Sequence, residues 1–140
     1  MTNRGPSPPF AIGGLDHIVL RVADMERAIA FYRDVLGARE ERRVDTIGLV
    51  QMRAGRSLID LVPLPDDGER GEPNLEHFAL TIVPFEPEQL AAHFVAHGLE
   101  TGEVAERYGA EGFGPSIYIQ DPDGNTVELK GPAVCGPTSA

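Results

Sequence analysis

Two stretches of the chain alternate between apolar and polar residues with a period of two, which predicts strands that each bury one face. They are "LDHIVLRV" (15–22) and "LEHFALTI" (75–82), and each is followed by an amphipathic segment that ends at a glycine. Asp24 is the expected cap of the first predicted helix, and Pro87 lies just inside the start of the second. We interpret the two stretches as copies of one unit, about 60 residues apart.

Three short alternating runs follow each predicted helix, so we predict that each copy folds as a βαβββ module and the chain as an α+β protein. The runs are "EERRVDTI", "GLVQMRAG" and "SLIDLVP" in the first copy and "TGEVAERY", "SIYIQDPDG" and "NTVELKG" in the second. The second copy also contains "YGAEGFGPS" (108–116), whose three glycines have no counterpart in the first. We interpret this stretch as an extra flexible loop that covers a site.

One domain over residues 14–131 accommodates both copies, with modules of about 14–63 and 74–131. The connection between them, "PLPDDGERGEP", is polar, bounded by proline and contains glycine, as a surface segment should. Residues 1–13 and 132–140 are predicted to be flexible termini.

Charge and composition exclude several classes of partner. The formal net charge is −10, and the basic residues are scattered, so no positive patch is expected for nucleic acid or an anionic membrane surface. No stretch approaches the roughly 20 apolar residues of a membrane span. The single cysteine, Cys135, has no partner for an intrachain disulfide, which favours a reducing compartment. We therefore predict a cytoplasmic protein that acts on a small molecule.

Side-chain alternation places four ionisable residues on strand faces that lie away from the predicted helices. Two imidazoles and two carboxylates at matching positions, if they converge, form a site for a divalent metal such as Ni, Zn, Fe, Mn or Co. A single histidine at the start of a strand is more often a packing residue, so this prediction depends on the repetition. The four residues are His17, Asp60, His77 and Glu128.

Three segments, "LDHIVLRVADMERAIAFYRDVLG", "EHFALTI" and "IYIQDPDGNTVELKG", together resemble the vicinal oxygen chelate superfamily of glyoxalases, bleomycin resistance proteins and extradiol dioxygenases. The resemblance covers roughly residues 13–131 and implies paired βαβββ modules that form a cupped mixed sheet, usually in a homodimer. It also implies that His17, His77 and Glu128 are metal ligands, with Asp60 where glyoxalase I has an extra glutamate. In several members, each site takes its ligands from two chains.

The resemblance favours a glyoxalase I-like lyase or isomerase that acts on a small carbonyl or hemithioacetal substrate through a metal-stabilised enediolate, with a thiol such as glutathione as a candidate cosubstrate. Glu128 is then the first choice for the general base and Asp60 the second. Arg21 is expected to hold an anionic group of the substrate, although a surface arginine is an equal alternative. Ser116 and Tyr118 are candidate hydrogen-bonding residues for the substrate.

Two other activities stay open at this point. An extradiol Fe(II) dioxygenase needs only two histidines and one carboxylate, which this chain offers. A ligand-sequestering protein of the bleomycin resistance kind needs no metal and has an aromatic groove. The chain has no Trp and only 6% aromatic residues, and it keeps the ligand set, so an enzyme is favoured.

Overall fold

The computed structural model describes residue 9 and residues 15–65 and 75–136, which contain two four-stranded sheets. In each sheet the first strand is parallel to the last, and the other pairs are antiparallel. The prediction of two βαβββ modules in an α+β protein is confirmed. The first sheet has the order β1-β4-β3-β2 and contains β1 (His17–Val22), β2 (Arg39–Val44), β3 (Leu49–Ala54) and β4 (Ser57–Pro63). The second has the order β5-β8-β7-β6 and contains β5 (His77–Thr81), β6 (Ala105–Gly109), β7 (Gly112–Gln120) and β8 (Thr126–Lys130).

Each module has one helical segment between its first two strands. Helix α1 (Met25–Ala30) continues as a π-helical segment (Phe31–Val35), and α2 spans Pro87–Ala96. The Asp24 side chain caps α1 by accepting a hydrogen bond from the Arg27 backbone N–H at 3.1 Å, as predicted. No helix in the described parts of the chain is long and apolar enough to cross a membrane.

The aliphatic faces of the two sheets and the inner faces of the helices meet in one hydrophobic core. Buried residues from both modules belong to it, including Leu20, Tyr32, Leu61, Phe94 and Leu129. Because successive residues of a strand point to opposite sides, the other face of each sheet lies away from this core. That outer face carries the predicted ligands, which are His17 and Asp60 in the first sheet and His77 and Glu128 in the second.

A buried polar contact joins the two modules. The hydroxyl of Tyr32 donates a hydrogen bond of 2.7 Å to Asp121, which begins the turn between β7 and β8. The same carboxylate accepts from the backbone N–H groups of Asp123 and Asn125, so it organises the turn as well. Burial, together with the negative charge of Asp121, raises the pKa of Tyr32 well above its ordinary value.

The glycine-rich stretch 108–116 is not an extra loop, so that prediction was wrong. It forms the end of β6, a short turn and the first half of β7. A Cβ at Gly112 would lie 2.0 Å from the carbonyl oxygen of Cys135, and one at Gly114 would lie 2.7 Å from that of Pro132. The glycines are therefore required for close backbone approach and not for flexibility.

Part of the segment that we predict to be a flexible tail pairs with β7. The Phe113 N–H donates to the carbonyl of Cys135 at 2.9 Å, and the Val134 N–H donates to the carbonyl of Phe113 at 2.7 Å. Residues 132–136 run alongside β7 because that strand extends past the end of β8 and offers unpaired backbone groups. The remaining terminal residues for which we predict flexibility, and most of the connection between the modules, lie outside the described residues.

Candidate functional site

The second sheet brings a histidine and a carboxylate together on its outer face. His77 lies at the start of β5 and Glu128 lies on the neighbouring parallel strand β8, where Ala79 is its register partner. The His77 Nε2 and Glu128 Oε1 atoms are 3.3 Å apart, and only 6% of Glu128 is exposed. Tyr118, opposite Glu128 on β7, presents its ring to the His77 ring edge-on with centroids 5.5 Å apart. We call His77 and Glu128 the second-module pair.

Tyr118 is held from its other side by an arginine. The Arg107 guanidinium lies 4.5 Å from the centre of the Tyr118 ring, and its Nη1 donates to the backbone carbonyl and the hydroxyl of Ser116 at 3.0 and 2.8 Å. Partial burial and the nearby Glu128 carboxylate raise the pKa of Tyr118, whereas the positive charge of Arg107 lowers it. A tyrosine hydroxyl is protonated at neutral pH even at its ordinary pKa, so that of Tyr118 can donate a hydrogen bond.

The first sheet carries the other histidine and carboxylate, which we call the first-module pair. Asp60 on β4 is buried next to β1, where Val19 is its register partner. One of its oxygens accepts a hydrogen bond of 3.1 Å from Gln51 Nε2, and Gln51 in turn accepts one of 3.1 Å from Arg42. The negative charge of Asp60 contributes to a raised pKa of His17, but the largest cause of that rise is the hydrogen bond from His17 to Asp16.

In both modules an acidic residue directly precedes the histidine. The His17 Nδ1 donates to Asp16 at 2.8 Å, and the His77 Nδ1 lies 3.5 Å from the carboxylate of Glu76. A carboxylate at Nδ1 favours the tautomer in which Nε2 carries a free lone pair. Each histidine therefore offers Nε2 as a metal ligand.

The chain places the four predicted ligands in two pairs and not in one cluster. Among the described residues, no group of three or more His, Cys, Asp or Glu side chains lies close enough to hold a metal ion. His17 and His77 line one cavity of about 440 Å³, but neither Asp60 nor Glu128 borders it. The assignment of the four residues to one metal site stays a prediction.

The three predicted substrate-binding residues occupy different environments. Ser116 is fully buried, and Tyr118 borders a cavity of about 490 Å³ together with Thr101, Gln120 and Thr126. Arg21 is exposed on the outer face of β1, on the same side of that strand as His17. Within the described residues its side chain makes no ion pair. The roles of these three residues in substrate binding also stay predictions.

Several side chains of the site were not identified from the sequence. Asp16 and Glu76 carried a usable signal, because the order acid then His is repeated in both copies. Lys130 follows Glu128 by two positions, so alternation places it on the same face. Arg107 and Gln51 carried no signal, because each acts through a neighbouring strand whose register the sequence does not reveal.

The donor atoms fit the kind of metal that we predict. Imidazole nitrogen and carboxylate oxygen are ligands for borderline divalent ions, and no thiolate is near either pair. The 3.3 Å between His77 Nε2 and Glu128 Oε1 is compatible with two ligands that turn toward one ion.

Comparison with known proteins identifies the family to which the chain belongs. The model of the Glyoxalase/Bleomycin resistance protein/Dioxygenase superfamily matches residues 14–129, and the chain belongs to that superfamily.

Named relatives differ in activity. The chain is 29% identical over 124 residues to virulence protein STM3117 of Salmonella typhimurium, an alignment that covers 84% of this chain and 83% of the relative. It is 27% identical over 114 residues to catechol-2,3-dioxygenase of Bacillus subtilis, covering 79% of this chain but only 38% of that protein. It is 36% identical over 66 residues to mitochondrial methylmalonyl-CoA epimerase of Mus musculus, covering 44% of this chain and 37% of that protein.

Solved structures agree with this assignment. An integron cassette protein from the mobile metagenome of V. cholerae superposes with a TM-score of 0.70 at 27% identity, covering 87% of this chain and 97% of that one. The fosfomycin resistance protein FosX from Listeria monocytogenes superposes with a TM-score of 0.69 at 26% identity, covering 86% of this chain and 91% of that one. The comparisons thus show the family of the chain. The similar proteins include a dioxygenase, an epimerase and a resistance protein, so they differ in activity.

Proposed function

We propose that the chain is a metal-dependent enzyme of this superfamily that transfers a proton at the carbon next to a carbonyl, as a glyoxalase I-like lyase or isomerase does. The substrate is a small carbonyl compound or a hemithioacetal. The observation that carries the proposal is the second-module pair, in which a buried carboxylate lies 3.3 Å from an imidazole on an adjacent strand. A relative that is an epimerase supports proton transfer as the reaction class.

A divalent ion of the Ni, Zn, Fe, Mn or Co group would be held by His77 and Glu128 and by His17, with Asp60 as a fourth ligand or as a neighbour. When bound, the metal supplies Lewis acidity that polarises the carbonyl oxygen. Because Gln51 donates a hydrogen bond to one oxygen of Asp60, the other oxygen of that carboxylate is the freer of the two to bind the ion.

The remaining steps belong to side chains of this protein. Glu128 removes a proton from the hydroxyl-bearing carbon of the substrate and returns it to the neighbouring carbon, while the hydroxyl proton passes to the oxygen of the original carbonyl, so the hydroxyl and the carbonyl exchange places. Substrate and product are isomers, so no oxidant or reductant is consumed. In this proposal Tyr118 donates a hydrogen bond to a substrate oxygen, and the contact of its ring with His77 supports that role. Arg21 and Ser116 are the further candidates for substrate contact.

We further propose that two copies of the chain form a homodimer in which the first-module pair of one copy meets the second-module pair of the other. The separation of the ligands into two pairs within one chain supports this arrangement. Leu15 and Leu75, which border the cavity that both histidines line, are 81% and 42% exposed, as residues of an interface would be in an isolated chain. Use of a thiol such as glutathione and a cytoplasmic location also belong to this proposal.

An extradiol Fe(II) dioxygenase is the second candidate function. The specific observation in its favour is that Gln51 holds Asp60, which leaves two histidines and one free carboxylate, Glu128. The match to a catechol-2,3-dioxygenase supports it, although the chain spans well under half of that protein. A metal-free binding protein is the remaining alternative, and the next experiment separates it from both enzymes.

The test begins with elemental analysis of full-length protein purified anaerobically without chelator. Stripped protein is then given each metal and a small 2-oxoaldehyde in D2O, with and without glutathione, and deuterium incorporation is followed by proton NMR. We expect metal-dependent incorporation that Glu128→Gln abolishes and that His97→Ala, a change on the outer surface of α2, leaves intact. Oxygen uptake with catechol and Fe(II) would replace the isomerase by the dioxygenase. Failure to bind any metal would overturn both.

A further inference from the structure

The only lysine of the chain lies buried beside the second-module pair. Lys130 ends β8, two residues after Glu128, so both side chains emerge on the outer face of the second sheet. Its register partners are Ser116 on β7 and Thr81 on β5, and only 9% of its surface is exposed. A lysine in the middle of a sheet face normally extends its stem into water. Here the stem is buried against the sheet, and the ammonium group at its end keeps contact with solvent.

Two glycines make room for the Lys130 side chain. A Cβ at Gly109 would lie 2.6 Å from Lys130 Cε and 2.8 Å from Cδ, and one at Gly114 would lie 3.1 Å from Nζ. The aliphatic stem therefore crosses β7 toward β6 over backbone that carries no side chains. Any larger residue at either glycine would displace the ammonium group, so the placement is built into the sheet.

The ammonium group lacks a counter-charge among the described residues. Within the described ranges, 15–65 and 75–136, Lys130 makes no ion pair and no side-chain hydrogen bond. Glu128 lies on the same face, but the two groups do not form an ion pair. An ammonium group that is held in place by a buried stem and has no counter-charge is available to a ligand that brings a negative charge.

A second cation points to the same ligand chemistry. Arg107 lies on β6 opposite Gly114, and its guanidinium reaches over Tyr118 while bonding to Ser116. It pairs with no carboxylate in the part of the chain that the structure describes. The strand residues of this face thus provide two cations, and Glu128 is their only carboxylate.

We propose that Lys130, with Arg107 beside it, binds a carboxylate or phosphate group of the substrate on this face. The proposal rests on the proposed function, because it takes the reacting end of the substrate to lie at Glu128 and His77. Glu128 and Lys130 are two residues apart on β8, about 6.5 Å at the backbone, and the Lys130 stem carries the ammonium group farther, across β7. The substrate class is therefore a small carbonyl compound that carries an anionic group away from the reacting carbon.

The test uses the metal-free full-length protein, so it does not depend on metal chemistry. Labelling with ¹⁵N-lysine marks Lys130 alone, and the protein is titrated with inorganic phosphate or lactate against chloride at equal ionic strength. We expect the Lys130 ¹⁵Nζ signal to shift with saturation. We also expect Lys130→Gln and Lys130→Met to weaken binding, measured by calorimetry, at least about tenfold. Arg56→Gln, which removes an exposed cation of the β3–β4 turn, is the matched control and should bind as the parent does.

An unmoved ¹⁵Nζ signal, or equal affinity in the parent and both Lys130 variants, would overturn the proposal. A shift with phosphate but not with lactate, or the reverse, decides which anion the site takes and supports it. Failure of this site is distinguishable from failure of the proposed function. Deuterium exchange without anion binding would remove the Lys130 site alone, whereas anion binding without exchange would remove the isomerase and leave the site.

Discussion

The two modules repeat the same order of elements, but their ligand pairs have different surroundings. In the second module, Glu128 lies 3.3 Å from His77, and Tyr118 and Arg107 extend the contact across the sheet. In the first module, Asp60 is turned toward Gln51, and His17 bonds to Asp16. The Asp60 arm is one methylene shorter than that of Glu128. The same βαβββ frame thus presents a carboxylate that faces its histidine in one module and a neighbouring amide in the other.

Because of this difference, the two carboxylates are not interchangeable. Glu128 has an imidazole as its partner and a protonated tyrosine beside it, so its environment suits a ligand or a base. Asp60 already satisfies one oxygen within the sheet, so its hydrogen-bonding environment resembles that of a residue that supports the site. These contacts support the proposal that Glu128, and not Asp60, is the general base.

Alanine substitution of each carboxylate should change the metal affinity to very different extents. Glu128→Ala should reduce metal affinity by more than about 100-fold, because it removes a ligand, whereas Asp60→Ala should reduce it by about tenfold or less, as loss of a supporting group does. Calorimetric titration of stripped protein with Ni or Zn measures both constants. His97→Ala is the control, because it removes an exposed histidine that is not a predicted ligand. Equal losses in the two carboxylate variants would make Asp60 a full ligand and remove the contrast.

Much of this arrangement could be predicted from alternation along the strands. The positions of His17, His77 and Glu128 on outer faces follow from the aliphatic residues on either side of each. The relation between strands could not be predicted, since the Gln51 to Asp60 hydrogen bond depends on register. Glycines at 109, 112 and 114 were misinterpreted for the same reason. Their role is visible only once Lys130 and the segment after β8 lie against β6 and β7.

A smaller effect concerns the contact that couples the modules. Tyr32→Phe removes the hydroxyl that donates to Asp121, while backbone donors still satisfy that carboxylate. We expect a loss of about 1.5 kcal/mol in the free energy of unfolding, measured by urea denaturation. Thr46→Val, which removes an exposed hydroxyl in the β2–β3 turn, is the control and should change stability by less than about 0.5 kcal/mol. A Tyr32→Phe variant as stable as the parent would mean that the modules are coupled by apolar packing alone.

The same tyrosine predicts a pH dependence. Its pKa is raised in the folded protein, so the folded state favours the neutral hydroxyl. That contribution is present in full below about pH 10, the ordinary value for tyrosine, and is lost progressively as the pH rises above it. Stability of the parent should therefore fall above pH 10 more steeply than that of Tyr32→Phe. Parallel curves of stability against pH for the parent and Tyr32→Phe would contradict the burial of the Tyr32 hydroxyl.

The smallest effect is at the exposed acid beside His17. Asp16→Asn should lower the pKa of His17, because its hydrogen bond is the largest of the influences that raise it. A raised pKa means that the folded state favours the charged imidazole, a contribution present below about pH 6.5 and lost as the pH rises through the folded value. Titration of the imidazole protons by NMR measures the change, with Asp45→Asn in the β2–β3 turn as the control. Above that range the imidazole is neutral, and Asp16 then acts only by holding Nδ1–H and directing Nε2 outward. The metal affinity of Asp16→Asn should for that reason fall by less than about tenfold. A larger loss would show that Asp16 supports metal binding by the first-module pair as much as Gln51 does.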